Sequence, residues 1–385
     1  MESQLDEEMD EETSEENWKK KKKKEKREYQ SLAQVLSAIN KKYGEGSLIQ
    51  GRGAIVAVDV WPSGMCSLDL ALGCGGIPRG RVIELFGPES SGKTTLALFL
   101  AATCQASAFP EDSNKSSSVR KGVVAFIDAE HAFDPVWATN IGVDVDRLIF
   151  NQPSSGEEAL DITSDLVDTG QVDLIIIDSV ASLTPQKELD GEISDYNIGA
   201  QASLMSKALR RLTAKCGETG CTIIFINQVR DKIGGYGNPE VTPGGKALKF
   251  YASVRIRISG GKSIDEKGKR IGRTTTVKIV KNKCGPPFTS TEFNLMYGST
   301  GVFGPDTIRS LVQAMCDAKL ITVHGSFFHW GDQKFNGREN LSAAVTGNIK
   351  MQEEMAATFA EQMRSRRIQV SEQTDEEFLG DAVDG

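Results

Sequence analysis

The chain has 385 residues and a net charge of −8, with 39% hydrophobic and 25% charged residues, which is typical of a globular protein with room for one large and one small domain. No apolar run approaches the roughly 18 residues that cross a membrane, and the N-terminus is acidic and then lysine-rich, unlike a secretory signal or a transit peptide, so we expect a cytoplasmic protein. Seven cysteines without Cys-x-x-Cys pairs or histidines at zinc spacing favour reduced thiols over a disulfide framework or a zinc site.

The first part of the chain is organised by charge and then by an amphipathic helix. Residues 1–16 carry nine acids, and eight bases follow within residues 19–27, so we expect a disordered tail. Residues 31–43 place Leu32, Val35, Leu36 and Ile39 on one helical face, and a short strand is expected at 55–60. A helix and a lone strand suit either an arm that docks on a neighbouring subunit or a cap on the chain's own core, and both interpretations stay open.

A strand, a glycine-rich loop and a helix follow one another over residues 82–102. The apolar run 82–86 predicts a buried strand, and residues 95–102 continue as an apolar helix. Between them, residues 87–94 fit G-x-x-x-x-G-K-[ST] at every fixed position. In such a loop the glycines let the backbone wrap around phosphates, the lysine reaches the β- and γ-phosphates, and the threonine hydroxyl ligates Mg²⁺. The nucleotide-binding residues expected here are Gly87, Pro88, Glu89, Ser90, Ser91, Gly92, Lys93, Thr94 and Thr95.

From Leu68 onwards, apolar strands alternate with helices. Further strands are expected at 123–128, 174–178, 223–227, 254–258 and 275–280, and helices at 95–105, 157–168 and 204–215. This alternation predicts an α/β fold whose mostly parallel sheet is covered on both faces and binds ligands at the carboxyl ends of its strands. The polar stretch 110–121 predicts a surface loop.

Polar side chains end three of these strands. Asp178 closes the run Leu-Ile-Ile-Ile-Asp and suits a second magnesium ligand beside the phosphate loop. Glu130 can orient or deprotonate the water that attacks the γ-phosphate, and Asp128 and His131 are rivals for that role by proximity. Gln228 can sense the γ-phosphate through a hydrogen bond and pass its position to the loop that follows.

Two long loops, 188–199 and 229–245, are expected on the same side of the sheet. Backbone amides at Gly244 and Gly245, together with Arg210 on a helix, can grip the phosphates of a single nucleic-acid strand. Lid loops over a small substrate have a similar pattern, so that alternative remains.

Seven short segments occur in a fixed order along the chain. They are Gly-Pro-Glu-Ser-Ser-Gly-Lys-Thr-Thr at 87–95, Phe-Ile-Asp-Ala-Glu-His-Ala at 126–132, Asp-Ser-Val-Ala at 178–181, Phe-Ile-Asn-Gln at 225–228, Gly-Asn-Pro-Glu at 237–240, Ala-Leu-Lys-Phe-Tyr-Ala-Ser-Val-Arg at 247–255 and Val-Lys-Asn-Lys at 280–283. Together, in this order, they resemble the bacterial RecA recombinase family. The resemblance implies a RecA-like P-loop NTPase core with a mostly parallel central sheet, an N-terminal helix–strand oligomerisation arm and a small C-terminal α/β domain.

The resemblance also implies an activity and partners. A family member would be a DNA-dependent ATPase that uses ATP and Mg²⁺, forms a helical filament on single-stranded DNA, and pairs that strand with homologous double-stranded DNA. Whether the protein also promotes cleavage of a self-cleaving damage-response repressor is left open. A ring-forming, helicase-like motor and a non-enzymatic DNA-binding module are the alternatives, although the intact nucleotide residues argue against the second.

The implied roles are assigned residue by residue. The catalytic set is Lys93, Glu130, Gln228, Lys281 and Lys283, with the last two reaching the ATP of the adjacent subunit. Asp134 and Trp137 would contact the base, and Thr94 and Asp178 would hold the metal. Phe250 lies in a segment that would link the subunit interface to the ATP. The implied DNA contacts are Ile198, Gly199, Ser206, Arg210, Arg230, Lys232, Ile233, Gly244, Gly245 and Lys246, whereas Ser203 stands where the family pattern has an arginine.

The expected domains are a charged tail at 1–30, a polymerisation arm at 31–64, an ATPase core at 65–301, a small domain at 302–365 and an acidic tail at 366–385. The acidic tails suit either solvated disorder or a mobile polyanion that competes with DNA for a basic groove. In the small domain, the aromatic run 327–330 suits either a core or a surface for duplex DNA, with Lys334 and Arg338 as candidate contacts.

Overall fold

A computed structural model describes residues 31–44, 58–112, 115–192, 199–231 and 240–380. Within these ranges no helix is both long and apolar enough to cross a membrane. The chain divides into two compact units, Met1–Ala57 and Val58–Gly385.

The first unit contains the predicted amphipathic helix, α1 (Leu32–Tyr43). The side chain of Ser31 caps it by accepting a hydrogen bond from the Gln34 amide, and Lys41 and Lys42 in its last turn face the negative end of the helix dipole. Of the strand predicted at 55–60, residues 55–57 lie outside the described part of the chain, and Val60 belongs to a strand of the second unit.

The second unit alternates strands and helices. Its strands are β1 (Val60–Trp61), β2 (Ile77–Pro78), β3 (Val82–Gly87), β4 (Ala108–Asp112), β5 (Lys115–Lys121), β6 (Val124–Asp128), β7 (Ile149–Asn151), β8 (Leu174–Asp178), β9 (Thr222–Gln228), β10 (Arg230–Asp231), β11 (Glu240–Val241), β12 (Val254–Glu266), β13 (Lys269–Asn282), β14 (Ser290–Tyr297), β15 (Phe303–Pro305), β16 (Thr322–His324), β17 (Phe327–Trp330) and β18 (Gln333–Asn336). Its helices are α2 (Cys66–Leu72), α3 (Lys93–Ala106), α4 (Pro135–Ile141), α5 (Gly156–Asp168), α6 (Gln186–Leu189), α7 (Ala200–Thr219), α8 (Ala247–Tyr251), α9 (Thr307–Asp317), α10 (Arg338–Thr346) and α11 (Ile349–Gly380).

The described strands include a nine-stranded sheet in the order β15-β14-β13-β12-β3-β9-β8-β6-β7. The run from β12 to β7 is parallel, which confirms the predicted mostly parallel sheet, and β13, β14 and β15 extend it in antiparallel fashion. The phosphate-loop strand β3 lies between β12 and β9, so the loop emerges near the middle of the sheet.

Apolar side chains cover both faces of this sheet. Alternate residues of β3, β6, β8 and β9 belong to two different clusters, because side chains in a strand point to opposite faces. Helix α3 packs within the first cluster, and helices α5 and α7 pack within the second. Two-sided burial explains why these strands are apolar along their whole length.

A third apolar cluster joins helices α9, α10 and α11 with strand β17. Cys66 and Leu70 of α2 pack against it, and the Ser67 and Ser310 hydroxyls are 2.8 Å apart. Phe328 is buried in this cluster, whereas Phe327 and Trp330 are half-buried. The aromatic run 327–330 therefore contributes part of its side chains to a small core. The domain boundaries expected from the sequence, including the one at 301/302, stay predictions.

The prediction of a surface loop at 110–121 is wrong, because β4 and β5 pair there as an antiparallel hairpin. Phe109 anchors the hairpin: it is buried, contacts the Trp61 ring edge-on at 6.1 Å, and has the Arg79 guanidinium 4.7 Å from its ring centre. Arg120 of β5 forms an ion pair with the buried Asp173 at 2.5 Å. These anchors lie far away in sequence, so the polar composition of the segment did not predict the pairing.

Candidate functional site

The phosphate loop connects β3 to α3 and depends on two glycines. A Cβ on Gly87 would lie 2.0 Å from the Ile258 carbonyl oxygen, and Gly92 has φ 96° at the start of α3. Both positions therefore require glycine, for close packing in the first case and for a left-handed backbone in the second. The loop leaves the amino end of α3 open to the cavity, where its amides and dipole favour an anion.

Lys93 lies inside this loop. Its Nζ donates hydrogen bonds to the carbonyl oxygens of Gly87 at 3.2 Å and Pro88 at 2.7 Å. Burial lowers the pKa of the Lys93 ammonium, while Asp178, Glu130 and Glu89 act in the opposite direction. An ammonium held by carbonyl oxygens in this way can exchange them for phosphate oxygens.

Thr94 and Asp178 form the oxygen pair that the sequence predicted for the metal. The Thr94 hydroxyl donates to Oδ2 of Asp178 at 2.7 Å, so the first turn of α3 meets the carboxyl end of β8. Burial raises the pKa of the Asp178 carboxyl to about 6, and the neighbouring Glu130 and Asp128 carboxylates add to the increase. A bound cation would relieve this unfavourable burial of negative charge, and a hydroxyl with a carboxylate is a donor set that Mg²⁺ accepts alongside phosphates.

Glu130 follows strand β6, and its side chain contacts residues at the ends of β8 and β9. Its Oε1 accepts a hydrogen bond from the Ser179 hydroxyl at 2.6 Å and another from Nε2 of Gln228 at 3.0 Å. Glu130 itself is exposed to the cavity. The two donors hold one carboxylate oxygen in a fixed direction and leave the other free to accept a proton.

The two rivals of Glu130 differ from it in their surroundings. The Asp128 carboxylate accepts backbone N–H bonds from Ala132 and Phe133 and a side-chain bond from Gln152, at 2.9–3.2 Å. These bonds give Asp128 a structural role in ordering the segment after β6. His131 is not among the residues that line the cavity.

A cavity of about 250 Å³ brings the phosphate loop together with three of the predicted catalytic residues, Lys93, Glu130 and Gln228. Its wall includes the following residues: Glu89, Ser90, Ser91, Gly92, Lys93, Thr94, Thr95, Glu130, Trp137, Asp178, Gln228, Arg273, Leu295, Met296 and Tyr297. The polar end holds Lys93, Thr94, Asp178, Glu130 and Gln228. Trp137 and Tyr297 supply aromatic surface, which suits a nucleotide base.

Asp134 takes part in this site through Trp137. It caps helix α4, and its Oδ1 accepts hydrogen bonds from the amides of Val136 at 2.8 Å and Trp137 at 3.0 Å. The Trp137 ring contacts Phe303 edge-on at 5.8 Å. Asp134 is not part of the cavity wall, so in this structure it positions the aromatic residue, and its predicted contact with the base stays a prediction.

A buried charge network supports the strand that carries Gln228. Nδ2 of the fully buried Asn227 donates to Oε1 of Glu84 at 3.0 Å and to the Pro243 carbonyl at 3.2 Å. Arg255 pairs with the other oxygen of Glu84 at 2.5 Å. Asn227 therefore links the nucleotide end of β9 directly to the end of the second predicted DNA loop.

The described ends of the two predicted DNA loops meet at the start of helix α7. Oε1 of Gln201 accepts from the Gly244 amide at 3.1 Å, while its Nε2 donates to the carbonyl oxygens of Val180 and Leu183 at 2.8 and 3.1 Å. A Cβ on Gly245 would lie 2.7 Å from Cβ of Ala202, so the glycine permits this close approach.

Ser206 and Arg210, two of the predicted phosphate contacts, lie on one side of α7. Gly199 caps the helix, and Ser203, Ser206 and Arg210 follow at spacings of three or four residues, which places them on one face. Arg210, Arg230 and Lys246 are exposed. Ile198, Lys232 and Ile233, which were also predicted to contact DNA, lie outside the described residues.

Lys281 and Lys283 lie apart from the cavity, at the end of β13. Nζ of Lys281 donates to the carbonyl oxygens of Lys249 at 2.8 Å and Phe250 at 2.9 Å. Burial lowers the pKa of Lys281, with Lys283 and Arg255 adding to the decrease. Lys283 is exposed, and Phe250 is 71% exposed beside them, so this surface is available to another molecule.

Four residues with contacts at these sites were not predicted from the sequence: Ser179, Arg273, Tyr297 and Gln201. Ser179 directly follows Asp178, so its position in the sequence could have indicated a role at this site. The other three are brought into place by contacts between segments that are distant in sequence. Arg273, for example, lies on the antiparallel strand β13, and no motif near it in the sequence indicates a role at the cavity.

The chain is similar to several known proteins. The sequence pattern of the RecA N-terminal domain matches residues 30–302. "Protein RecA" of Campylobacter hominis is 44% identical over 90% of this chain and 95% of its own length. "Protein RecA" of Sulfurimonas denitrificans is 48% identical over 82% of this chain and 87% of its own length. Among solved structures, the RadB recombinase is 21% identical, covers 61% of this chain and 96% of its own, and has a TM-score of 0.45.

Proposed function

The chain belongs to the RecA family of recombinases, and we propose that it binds ATP with Mg²⁺ at the phosphate loop and hydrolyses it in a filament on single-stranded DNA. As a member of this family the protein is a DNA-dependent ATPase that acts in homologous recombination and DNA repair. The assignment of individual residues to that activity rests on the geometry of the site.

A single observation carries the proposal: Lys93, Thr94, Asp178, Glu130 and Gln228 line one cavity at the carboxyl ends of neighbouring strands. This is the arrangement that phosphoryl transfer to water needs, because catalysis depends mainly on positioning and on neutralising charge. Mg²⁺, when bound by Thr94 and Asp178 together with the nucleotide, supplies charge neutralisation at the phosphates.

The chain's own residues then have separate tasks. The amides of the phosphate loop and Lys93 bind the β- and γ-phosphates. Glu130, oriented by Ser179 and Gln228, accepts a proton from the attacking water at its second carboxylate oxygen. Trp137 provides an aromatic surface for the base.

Gln228 couples the nucleotide to the DNA loops. Its side chain bonds Glu130, and the adjacent Asn227 bonds the Pro243 carbonyl, next to Gly244. A shift of Gln228 toward a γ-phosphate would therefore move the backbone that precedes Gly244 and Gly245. We assign to that backbone, with Ser206, Arg210, Arg230 and Lys246, the contacts to DNA phosphates, and we assign Ile198, Lys232 and Ile233 to the same interface by resemblance. Phosphate contacts carry no base information, so this binding is independent of sequence.

Lys281 and Lys283 complete the site from the next subunit. They lie outside the cavity of their own chain and on an accessible surface beside Phe250. A head-to-tail contact that places this surface over the phosphate loop of a neighbour would make hydrolysis depend on filament assembly. The exposed Lys334, whose ammonium lies 3.9 Å from the Phe327 ring centre, is the candidate for duplex DNA, whereas Arg338 is hydrogen-bonded to Gln313.

Electron microscopy with single-stranded DNA and a slowly hydrolysed ATP analogue tests the proposal against a helicase-like ring. Continuous helical filaments are expected, and discrete rings would contradict it. Incubating the filament with a self-cleaving repressor of the damage response tests the co-protease activity, and uncut repressor in the presence of good filaments would remove that activity from the proposal. A cytoplasmic location belongs to the same proposal.

A further inference from the structure

Arg273 lies in the wall of the nucleotide cavity, on strand β13, where it pairs with Ser263 of β12 and Leu295 of β14. Neither the sequence motifs nor the roles assigned above use it. Its guanidinium crosses to the phosphate loop, and its Nη1 donates to the Ser90 carbonyl at 2.5 Å. Arg273 therefore connects the antiparallel part of the sheet to the loop that holds the nucleotide.

The charge of Arg273 has no counter-ion within the described part of the chain. There, the Ser90 carbonyl is its hydrogen-bond acceptor, no carboxylate pairs with it, and its Nε is buried without a partner. A guanidinium offers five N–H donors in a fixed fork that matches phosphate geometry, so most of its donors remain available. An unpaired cation that lines a phosphate-binding cavity favours an anionic ligand.

Gly260 on β12 makes room for this guanidinium. A Cβ at residue 260 would lie 0.9 Å from Nη2 of Arg273 and 2.2 Å from its Cζ. The glycine is in a strand and is not among the positive-φ residues, so its backbone does not require glycine. Glycine is needed because the Arg273 guanidinium occupies the space that a side chain at residue 260 would fill. Any larger residue at 260 would therefore displace the guanidinium from the phosphate loop.

We propose that Arg273 is a nucleotide-binding residue, supplied by the same subunit as the phosphate loop, that donates to a phosphate oxygen of ATP, and that Gly260 positions it. This inference rests on the proposed function of the cavity. Arg273 would be a second cation at the nucleotide, in addition to Lys93. It approaches the phosphate loop from the side on which β13 and β14 lie. Because Arg273 is anchored on Ser90, the guanidinium also fixes the loop before the ligand arrives.

Calorimetric titration of the full-length protein with ATP and Mg²⁺, without DNA, tests the proposal. Arg273→Ala is expected to weaken ATP binding about tenfold or more, since a hydrogen bond between charged groups is lost. Inorganic tripolyphosphate should lose affinity in the same variant. Arg273→Lys keeps the charge without the fork and should recover part of the loss. Arg270→Ala, an exposed cation three residues earlier on the same strand, is the matched control and should bind within about twofold of the unchanged protein.

Gly260→Ala provides an independent arm. It should weaken ATP binding about as much as Arg273→Ala, and adding it to Arg273→Ala should cause little further loss, because the clash exists only with the arginine. Thermal unfolding of each variant identifies any that fails to fold.

Unchanged ATP affinity in a folded Arg273→Ala variant would overturn the proposal. Additive losses in the double variant would overturn the role of Gly260, and unchanged tripolyphosphate affinity would overturn the phosphate contact. Lys93→Ala separates this inference from the function on which it rests. If Lys93→Ala binds ATP normally, the assignment of the cavity as the ATP site fails. If Lys93→Ala loses ATP affinity while Arg273→Ala does not, only the role of Arg273 is overturned.

Discussion

Nε2 of Gln228 donates a hydrogen bond of 3.0 Å to Oε1 of Glu130, so the last residue of β9 holds the carboxylate that follows β6. The two residues are 98 positions apart in sequence, and strand β8 lies between their strands. The bond fixes one oxygen of the carboxylate and connects it to the strand that leads into the second predicted DNA loop.

Glu130→Gln should abolish turnover while leaving nucleotide-dependent filament assembly intact. The amide is isosteric and can still accept from Ser179 and Gln228, but it cannot take a proton from water. General-base catalysis contributes roughly 10²–10⁴-fold, so we expect kcat to fall by at least about 100-fold. Phosphate release and electron microscopy on the same sample measure the two effects. Failure of this variant to bind ATP would contradict the role assigned to Glu130.

Gln228→Ala should uncouple the rate of ATP hydrolysis from DNA binding. The variant keeps the phosphate loop, so ATP affinity should change little, while the stimulation of hydrolysis by single-stranded DNA should be largely lost. Gln152→Ala is the matched control, since Gln152 also donates to a carboxylate, that of Asp128, but does not line the cavity. The rates with and without DNA provide the measurement. If Gln228→Ala and Gln152→Ala were equally stimulated by DNA, Gln228 would not be the coupling residue.

The raised pKa of the Asp178 carboxyl should make the stability of the protein depend on pH. This carboxyl has a pKa of about 6 in the folded protein and near 3.8 when exposed, mainly because burial disfavours the charge. Between these values the folded state binds a proton that the unfolded state does not, so stability falls as the pH rises from about 4 to about 7. In the metal-free and nucleotide-free protein, this loss should be on the order of 2–3 kcal/mol.

Asp178→Asn should remove that part of the pH dependence and should be more stable than the unchanged protein at pH 8 without ligands. Urea unfolding of both proteins at pH 5 and pH 8 gives the comparison. An unchanged difference between the two pH values in Asp178→Asn would show that another group is responsible.

Mixing two inactive variants should restore activity if Lys283 acts on the neighbouring subunit. Lys93→Ala lacks a working phosphate loop, and Lys283→Ala lacks the exposed lysine. In a randomly mixed head-to-tail filament, about a quarter of the interfaces would join an intact loop to an intact lysine. The ATPase rate of an equal mixture should therefore rise well above that of either variant alone. No gain in mixtures that do form filaments would show that Lys283 does not act across the interface.

The sequence was sufficient for the features that are encoded locally. The phosphate loop, the apolar strands beside it, and the residues Asp178, Glu130 and Gln228 at their ends follow from short motifs and hydrophobic runs. Parallel strands covered on both faces must be apolar along their length, and their carboxyl ends must lie on one edge, so a one-dimensional pattern locates them. The amphipathic helix α1 was predicted for the same reason, since its apolar residues repeat with the helical period.

Only the tertiary structure decided which distant segments meet. Arg273 contacts Ser90 across 183 residues, Gln201 joins Val180 to Gly244, and Phe109 and Arg120 turn a polar stretch into a hairpin by packing on Trp61 and Asp173. None of these contacts leaves a periodic or motif signal, because each depends on geometry set by the whole sheet. By itself, the sequence located the phosphate loop and the polar residues that end the neighbouring strands. The packing of the antiparallel strands β13 and β14 beside the phosphate loop decided that Arg273 joins them, since that arrangement brings its guanidinium within hydrogen-bonding distance of the loop.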